Sequence, residues 1–417
     1  MHRIPETGRP WDALKEELEA AKSGDYAWRR GRMAVYVFHR DEALERVQKG
    51  AYLAYFTENN LGQRAFPSLK RLEEEVVGMG LSLLHAPPGA GGTFTSGGSE
   101  SIFLSMLAAR EQGRERGIAA GGNIVLPDTA HLTFDRAAWY LGLEARRVPA
   151  GPDLRADVAA MERAVDAGTV AIVGSAPCYP FGVFDPIEAL GQVALRRNGG
   201  LWLHVDACVG GFLSPFAARL GHPIPGCDFR VPGVTAVSAD IHKHGMAAKG
   251  ASLLLLLRDD ALRRLHRFES RAWQRGPYVA YTSQGTRPGG AVAAAWAVMR
   301  YLGEDGYLDC ARRIMGAKRA MTEGIAAIPG LQVLLPSDLS IFVYRAADPA
   351  ALDIGKVAAA MDRRGWLPGR QQEPDGMHLH LNPIHAGIVE EYLRDLREAV
   401  AEAREGRVEA MAAGRAY

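Results

Sequence analysis

Between residues 90 and 260, short apolar runs alternate with stretches of helical spacing. The runs fall at 123–126, 170–173, 201–205, 235–238 and 253–257, and the helical stretches at 99–111, 134–141 and 187–196. Strands this short, apolar on both faces and separated by helices, predict a mostly parallel sheet with helices on both sides. Upstream, the spacing of apolar positions predicts polar helices at 11–21 and 41–48. A further helix starts at Phe66-Pro67-Ser68, with Ser68 as N-cap. The segment 86–92, Ala-Pro-Pro-Gly-Ala-Gly-Gly, reads as a turn. After Gly285-Thr-Arg-Pro-Gly-Gly290 a helix is predicted over 291–302. Strands at 340–344 and 378–382, interleaved with helices, and an amphipathic helix over 387–404 follow. The expected organisation is an N-terminal helical segment (1–55), a large domain (56–302) and a small C-terminal α/β domain (303–417).

Composition narrows the class without naming a chemistry. Of 417 residues, 47% are hydrophobic and 23% charged, as in an ordinary soluble globular chain. Lys and Arg number 49 against 48 Asp and Glu, a net charge of +1. No general positive field exists to hold nucleic acid or an anionic membrane. The four cysteines form no CxxC pair, so neither a metal site nor a disulfide framework is expected, and a reducing cytoplasm fits. The first residues lack the apolar core of a signal peptide, and the run at 253–257 is too short to span a bilayer.

The chemistry-bearing residues lie just after the predicted strands, where open α/β sheets bind ligands. Lys243 sits in Val-Ser-Ala-Asp-Ile-His-Lys-His-Gly, and Asp206 in Leu-His-Val-Asp-Ala-Cys-Val-Gly-Gly. His131 lies in Ala-His-Leu-Thr-Phe-Asp, and Gly97, Gly98 and Ser99 open a predicted helix. Together they supply an amine for a Schiff base, a carboxylate for a pyridinium nitrogen, a ring to stack on the cofactor and a phosphate cradle. That set is what pyridoxal 5'-phosphate (PLP) takes from a protein. Singly, each has a plainer reading: a solvated lysine, an N-cap aspartate, a satisfied histidine at a helix start, a common Gly-Gly-Ser turn. The apolar strand before Lys243 and the histidines flanking it favour the cofactor role. His242 adds a donor for the cofactor phosphate or holds structure.

Four segments carry a resemblance: Thr-Ser-Gly-Gly-Ser-Glu-Ser-Ile, His-Val-Asp-Ala-Cys-Val-Gly-Gly-Phe-Leu, Ser-Ala-Asp-Ile-His-Lys-His-Gly-Met-Ala-Ala-Lys-Gly and Gly-Thr-Arg-Pro-Gly-Gly. With them the chain resembles sphingosine-1-phosphate lyase and its bacterial relatives, a branch of the group II PLP-dependent decarboxylases. The likeness runs from Ile4-Pro-Glu-Thr-Gly8 to the last helix and omits the membrane anchor of eukaryotic members. It implies a fold-type I PLP enzyme, a homodimer with active sites at the subunit interface. It assigns Lys243 to the Schiff base, Asp206 to the pyridine nitrogen, His131 to the ring face, and Gly98 and Ser99 to the cofactor phosphate. Gly285 and Thr286 are implied to reach the partner subunit's cofactor phosphate. Tyr36 and Lys249 match family residues near the substrate phosphate, and Arg287 follows the Gly-Thr turn into the same region. Tyr36 also reads as a core aromatic, and Lys249 as structural. The chain departs from the pattern at Asn59-Asn60-Leu61-Gly62, where the family carries Asn-Pro-Leu-His, so Gly62 holds the histidine position. Gln284 replaces a small residue before the Gly-Thr-Arg-Pro-Gly turn, and Arg64 is a candidate to supply positive charge in place of the histidine absent at Gly62.

The resemblance implies retro-aldol cleavage of a phosphorylated amino alcohol to an aldehyde and phosphoethanolamine. A PLP-dependent amino-acid decarboxylase, releasing CO2 and an amine, uses the same electron sink. From another class, a non-catalytic PLP-binding protein would keep the cofactor and lack turnover. In each enzymatic reading the partner is a small amine, anionic for the lyase, with no nucleic acid and no stable membrane insertion.

Overall fold

The leucine run shows how the central sheet is built. Leu253 and Leu255 pack into one apolar layer, while Leu254 and Leu256 pack into another. Val125 likewise faces the first layer, and Ile124 and Leu126 the second. Side chains alternate along a strand, so a run with no polar residue requires cover on both faces. The computed structural model describes residues 2–118, 121–197, 200–334 and 337–412.

Seven strands form this sheet: β1 (Gly91–Thr95), β2 (Asn123–Pro127), β3 (Glu144–Val148), β4 (Thr169–Ser175), β5 (Trp202–Asp206), β6 (Val234–Ala239) and β7 (Ser252–Leu256). Their order is β1-β7-β6-β5-β4-β2-β3. The pairs from β6 to β3 are parallel, and β7 runs antiparallel to both β1 and β6. The helices before and within this unit are α1 (Trp11–Ala21), α2 (Glu42–Ala54), α3 (Pro67–Leu83), α4 (Gly98–Glu115), α5 (Thr133–Leu141), α6 (Val158–Ala164), α7 (Ile187–Leu195), α8 (Ser214–Arg219) and α9 (Asp259–Leu262). Ile102, Leu104 and Phe134 of α4 and α5 cover one face. Leu69 and Val76 of α3, Ile187 and Leu190 of α7 and Phe216 of α8 cover the other. The fold is therefore α/β with a mostly parallel sheet between helical layers, as the alternation predicts.

A long helix, α10 (Gly289–Ala326), leads to the C-terminal part and breaks at Gly303 (φ 55°, ψ −171°). Beyond it, β10 (Leu331–Leu334), β11 (Ile341–Ala346), β12 (Arg370–Gln371) and β13 (Gly376–His380) form an antiparallel sheet in the order β10-β11-β13-β12. A hairpin, Phe268–Ser270 with Tyr278–Ala280, precedes α10. Helices α11 (Ile354–Arg363) and α12 (Val389–Arg404) pack on one another beside the small sheet.

Two local expectations are corrected. Ser68 does not cap α3: Phe66 is the N-cap residue, with no side-chain bond, and Pro67 takes the first turn, where its missing N–H costs nothing. Gly91 and Gly92 belong to β1 rather than to a turn. A Cβ on Gly92 would stand 2.5 Å from the Leu254 carbonyl oxygen, so glycine here answers the close approach of β7. The helix expected over 291–302 is the first segment of α10, which breaks at Gly303 and resumes to Ala326. Among the described residues no helix is long and apolar enough to cross a membrane.

Candidate active site

Because β2, β4, β5 and β6 are parallel, their carboxyl ends share one edge. Asp206 is the last residue of β5, Lys243 lies in the turn after β6, and His131 lies between β2 and α5. From β1 the chain passes through Ser96 and Gly97 into α4. These ends enclose a cavity of about 740 Å³ lined by Gly97, Gly98, Ser99, His131, Asp206, His242 and Lys243. Seven positions spread along the sequence thus meet in one hollow, as expected for ligands at the carboxyl ends of strands.

Lys243 Nζ stands 2.9 Å from Asp240 Oδ2, one helical turn earlier. Burial alone would lower the Lys243 pKa, but the Asp240 carboxylate outweighs it and the net shift is upward. For Asp240, burial pushes upward and the charges of Lys243 and His242 reverse it, leaving the carboxyl below its ordinary value. Asp240 lines the same cavity and was missed by sequence reasoning. Its signal was its place three residues before the lysine, which reads as the end of a strand. The other oxygen, Oδ1, is buried without a hydrogen-bond partner among the described residues.

Asp206 Oδ1 accepts from the Cys208 amide at 3.1 Å and from the Ser238 hydroxyl at 3.3 Å. His131 Nδ1 accepts from the Thr133 amide at 3.2 Å, which fixes the ring at the start of α5. Tyr179 meets that ring edge-on at 6.1 Å. Burial lowers the His131 pKa, with the Asp206 charge opposing, so the ring favours its neutral form. Opposite, α4 points its N-terminus into the cavity, where first-turn amides have no acceptor within the helix. Glu100 fastens this turn: it accepts from the Ser96 amide and hydroxyl (2.7 and 2.8 Å) and from the Ser283 amide and hydroxyl (2.7 and 2.5 Å). Burial raises its pKa, and these four bonds outweigh the burial, so it stays a carboxylate.

The residues fit PLP. An amine, a carboxylate and an imidazole surround a cavity whose floor is a helix N-terminus, and a buried carboxylate oxygen there lacks a donor. Gly98 leaves room that no other residue would: its Cβ would lie 2.6 Å from Cys208 Sγ and 3.0 Å from Asp240 Oδ1. Gly98→Ala should therefore weaken cofactor binding by about 10-fold or more, since overpacking of this kind displaces its neighbours. Titration of the apo protein with PLP, followed by tryptophan fluorescence, checks it; unchanged affinity refutes the cradle.

The remaining expected residues lie outside this cavity within the single chain. Gln284, Gly285 and Arg287 line a second cavity of about 510 Å³. Arg287 is neutralised there by Glu73, at 2.7 and 3.1 Å. Thr286 Oγ1 accepts from Asn59 at 3.3 Å, and Arg64 is exposed. Tyr36 is 53% exposed rather than a core aromatic, and it occupies the centre of a three-residue turn at φ 60°, closed by Val37 N to Val35 O at 2.6 Å. Lys249 Nζ donates to the His242 carbonyl at 3.2 Å and sits 5.0 Å over the Phe38 ring.

Fold and site together define a PLP-dependent enzyme. Residues 53–346 match the pyridoxal-dependent decarboxylase conserved domain. The chain is 39% identical over 394 residues to a sphingosine-1-phosphate lyase of Arabidopsis thaliana, across 92% of this chain and 71% of that protein. It is 34% identical over 400 residues to sphingosine-1-phosphate lyase 1 of Rattus norvegicus, across 95% of this chain and 69% of that protein. A solved sphingosine-1-phosphate lyase from Burkholderia pseudomallei K96243 superposes with a TM-score of 0.91 at 38% identity, covering 98% of this chain and 94% of that one. This chain belongs to the sphingosine-1-phosphate lyase family and is a PLP-dependent lyase. Glutamate decarboxylase from Lactobacillus brevis shares the fold at 18% identity, TM-score 0.85.

Proposed function

We propose that this enzyme cleaves the Cα–Cβ bond of a phosphorylated long-chain amino alcohol, yielding an aldehyde and phosphoethanolamine. The observation that carries the reading is the convergence of Lys243, Asp206 and His131 on one cavity in a chain matched nearly end to end by sphingosine-1-phosphate lyases. PLP, when bound, supplies a sink for the electron pair released as that bond breaks. Lys243 holds the cofactor and exchanges with the incoming amine, Asp206 holds a proton at the ring nitrogen, and His131 covers the ring face. The first turn of α4 takes the cofactor phosphate. The substrate phosphate anchors the molecule so that the bond to be cut is correctly oriented.

Lys249 is our anchor for that phosphate, with Tyr36 beside it and Gly285 and Thr286 reaching the cofactor phosphate of a second copy in a homodimer. The positive φ of Tyr36, rare for an aromatic residue, supports a constrained functional position. Gln284, Arg287 and Arg64 border the same subunit junction in this reading. The free buried cysteines agree with a cytoplasmic setting.

Purified enzyme mixed with a phosphorylated long-chain base should release aldehyde and phosphoethanolamine together. CO2 from an amino acid without aldehyde would replace this reading with a decarboxylase, and PLP binding without either product with a non-catalytic protein. Burial, then the charge of Lys243, lowers the Lys249 pKa to about 8. Its ammonium is thus present at neutral pH and lost as pH rises, so kcat/KM should fall above about 8. Lys249→Met should raise KM about 10-fold or more and remove that limb of the profile. A limb that survives in the variant assigns the ionisation elsewhere.

A further inference from the structure

Asp206 stands at the end of a line of buried hydrogen bonds. Trp202 Nε1 donates to Ser105 Oγ at 3.0 Å, and Ser105 Oγ meets His204 Nδ1 at 2.8 Å. His204 Nε2 meets Ser238 Oγ at 3.1 Å, and Ser238 donates to Asp206 Oδ1 at 3.3 Å. Trp202, Ser105, His204 and Ser238 are each 0% exposed, so the line is sealed from bulk solvent.

The two ends fix the proton at every joint. An indole only donates and a carboxylate only accepts. The single Ser238 proton goes to Asp206, so Ser238 Oγ accepts from His204, which carries its proton on Nε2. His204 Nδ1 then accepts from the Ser105 hydroxyl, which in turn accepts the indole N–H. Every donor points toward Asp206. Cys208 joins at the same end: its Sγ lies 3.3 Å from Ser238 Oγ, and its amide donates to Asp206. Phe134 packs edge-on against the His204 ring at 5.5 Å. Apolar neighbours of that kind would suit a leucine or phenylalanine equally; only the line of donors calls for an imidazole.

We infer that His204 is a positioning residue for Asp206: acting through Ser238, it fixes the carboxylate in the orientation that meets the cofactor's ring nitrogen. The inference rests on the role proposed above for Asp206. His204 is buried and does not line the cavity, and its hydrogen-bond path to Asp206 passes through one hydroxyl.

The test is cofactor affinity, measured by titrating apo protein with PLP and following tryptophan fluorescence, with the melting temperature of each variant alongside. Ser238→Ala and His204→Leu should each weaken PLP binding roughly 10- to 100-fold, the range for losing a hydrogen bond to a charged group. The double variant should bind no worse than Ser238→Ala alone, because Ser238 carries the hydrogen-bond path from the histidine to the carboxylate. His204→Gln places an amide N–H near the Nε2 position and should recover affinity to within about 3-fold of wild type. Losses that add in the double variant overturn the inference. So does wild-type affinity in His204→Leu with only a lower melting temperature. Should His204→Leu not fold, wild-type affinity in Ser238→Ala overturns it equally. Asp206→Ala separates the two levels: if that variant keeps full affinity, the reading of Asp206 itself falls. If it loses affinity while Ser238→Ala and His204→Leu do not, only the inference about His204 falls.

Discussion

Lys243→Ala should lower turnover by at least about three orders of magnitude and leave PLP removable by gel filtration, because the covalent anchor is gone. The structure adds a second expectation. Lys243 is the partner of a carboxylate that is 3% exposed and already has one unsatisfied oxygen. Removing the amine leaves Asp240 facing the His242 imidazole at 3.7 Å. The variant should therefore lose stability as well, by about 1–3 kcal/mol. Lys243→Met combined with Asp240→Asn removes both charges and should regain most of the melting temperature without regaining activity. Recovery of turnover in the double variant would show that Lys243→Ala failed through folding, and would remove Lys243 from the chemistry.

Much of the large domain was legible because its strands are buried on both faces. The run 170–173 has no polar residue and 123–126 has one, Asn123, and the helices between them have clear spacing. The candidate site followed from the same fact: Asp206 ends a strand, Lys243 and His131 come soon after one, and parallel strands bring those ends together. What stayed hidden depends on neighbours rather than on local pattern. The run at 253–257 reads as a strand, but nothing in it says that β7 runs antiparallel to β6. β1 was obscured by Gly91 and Gly92, which are set by contact with β7 and by Asp259 near the Gly91 Cβ position. Asp240 was hidden because its role lies in a turn that folds it back on Lys243. The hairpin at 268–280 is short and mostly exposed, so it lacks the apolar signature of the core strands. Tyr36 and Lys249 rested on family likeness and Arg64 on a departure from it, and one chain does not bring them into the Lys243 cavity.

Acid should unfold this protein early, because it buries several histidines in neutral form. Burial lowers the pKa of His204, His266 and His385 to about 4 and of His244 to about 3, and lowers those of His378 and His380 as well. His244 and His380 meet through their Nε2 atoms at 3.0 Å, close to Lys243, so charging both would set like charges together. A histidine with a folded pKa below its unfolded value of 6.5 binds its proton more readily once unfolded. Its contribution to stability is complete above that value and drains away as pH falls toward the folded pKa. Between pH 7 and pH 5 His204, His266, His385 and His244 each cost the fold about 2 kcal/mol, together roughly 5–8 kcal/mol. Asp185 works in the opposite direction: burial raises it to about 6, so it favours the folded state on acidification, by roughly 1 kcal/mol. The net loss is comparable to the whole stability of a typical domain, about 5–15 kcal/mol. Urea midpoints of the apo protein at pH 7, 6 and 5 should therefore fall steeply, and a flat series would contradict the buried neutral rings. His266 offers the sharpest check, since both its ring nitrogens are buried without partners among the described residues. His266→Phe should raise the midpoint at pH 5 more than at pH 7, because the phenyl ring has no proton to take up on unfolding.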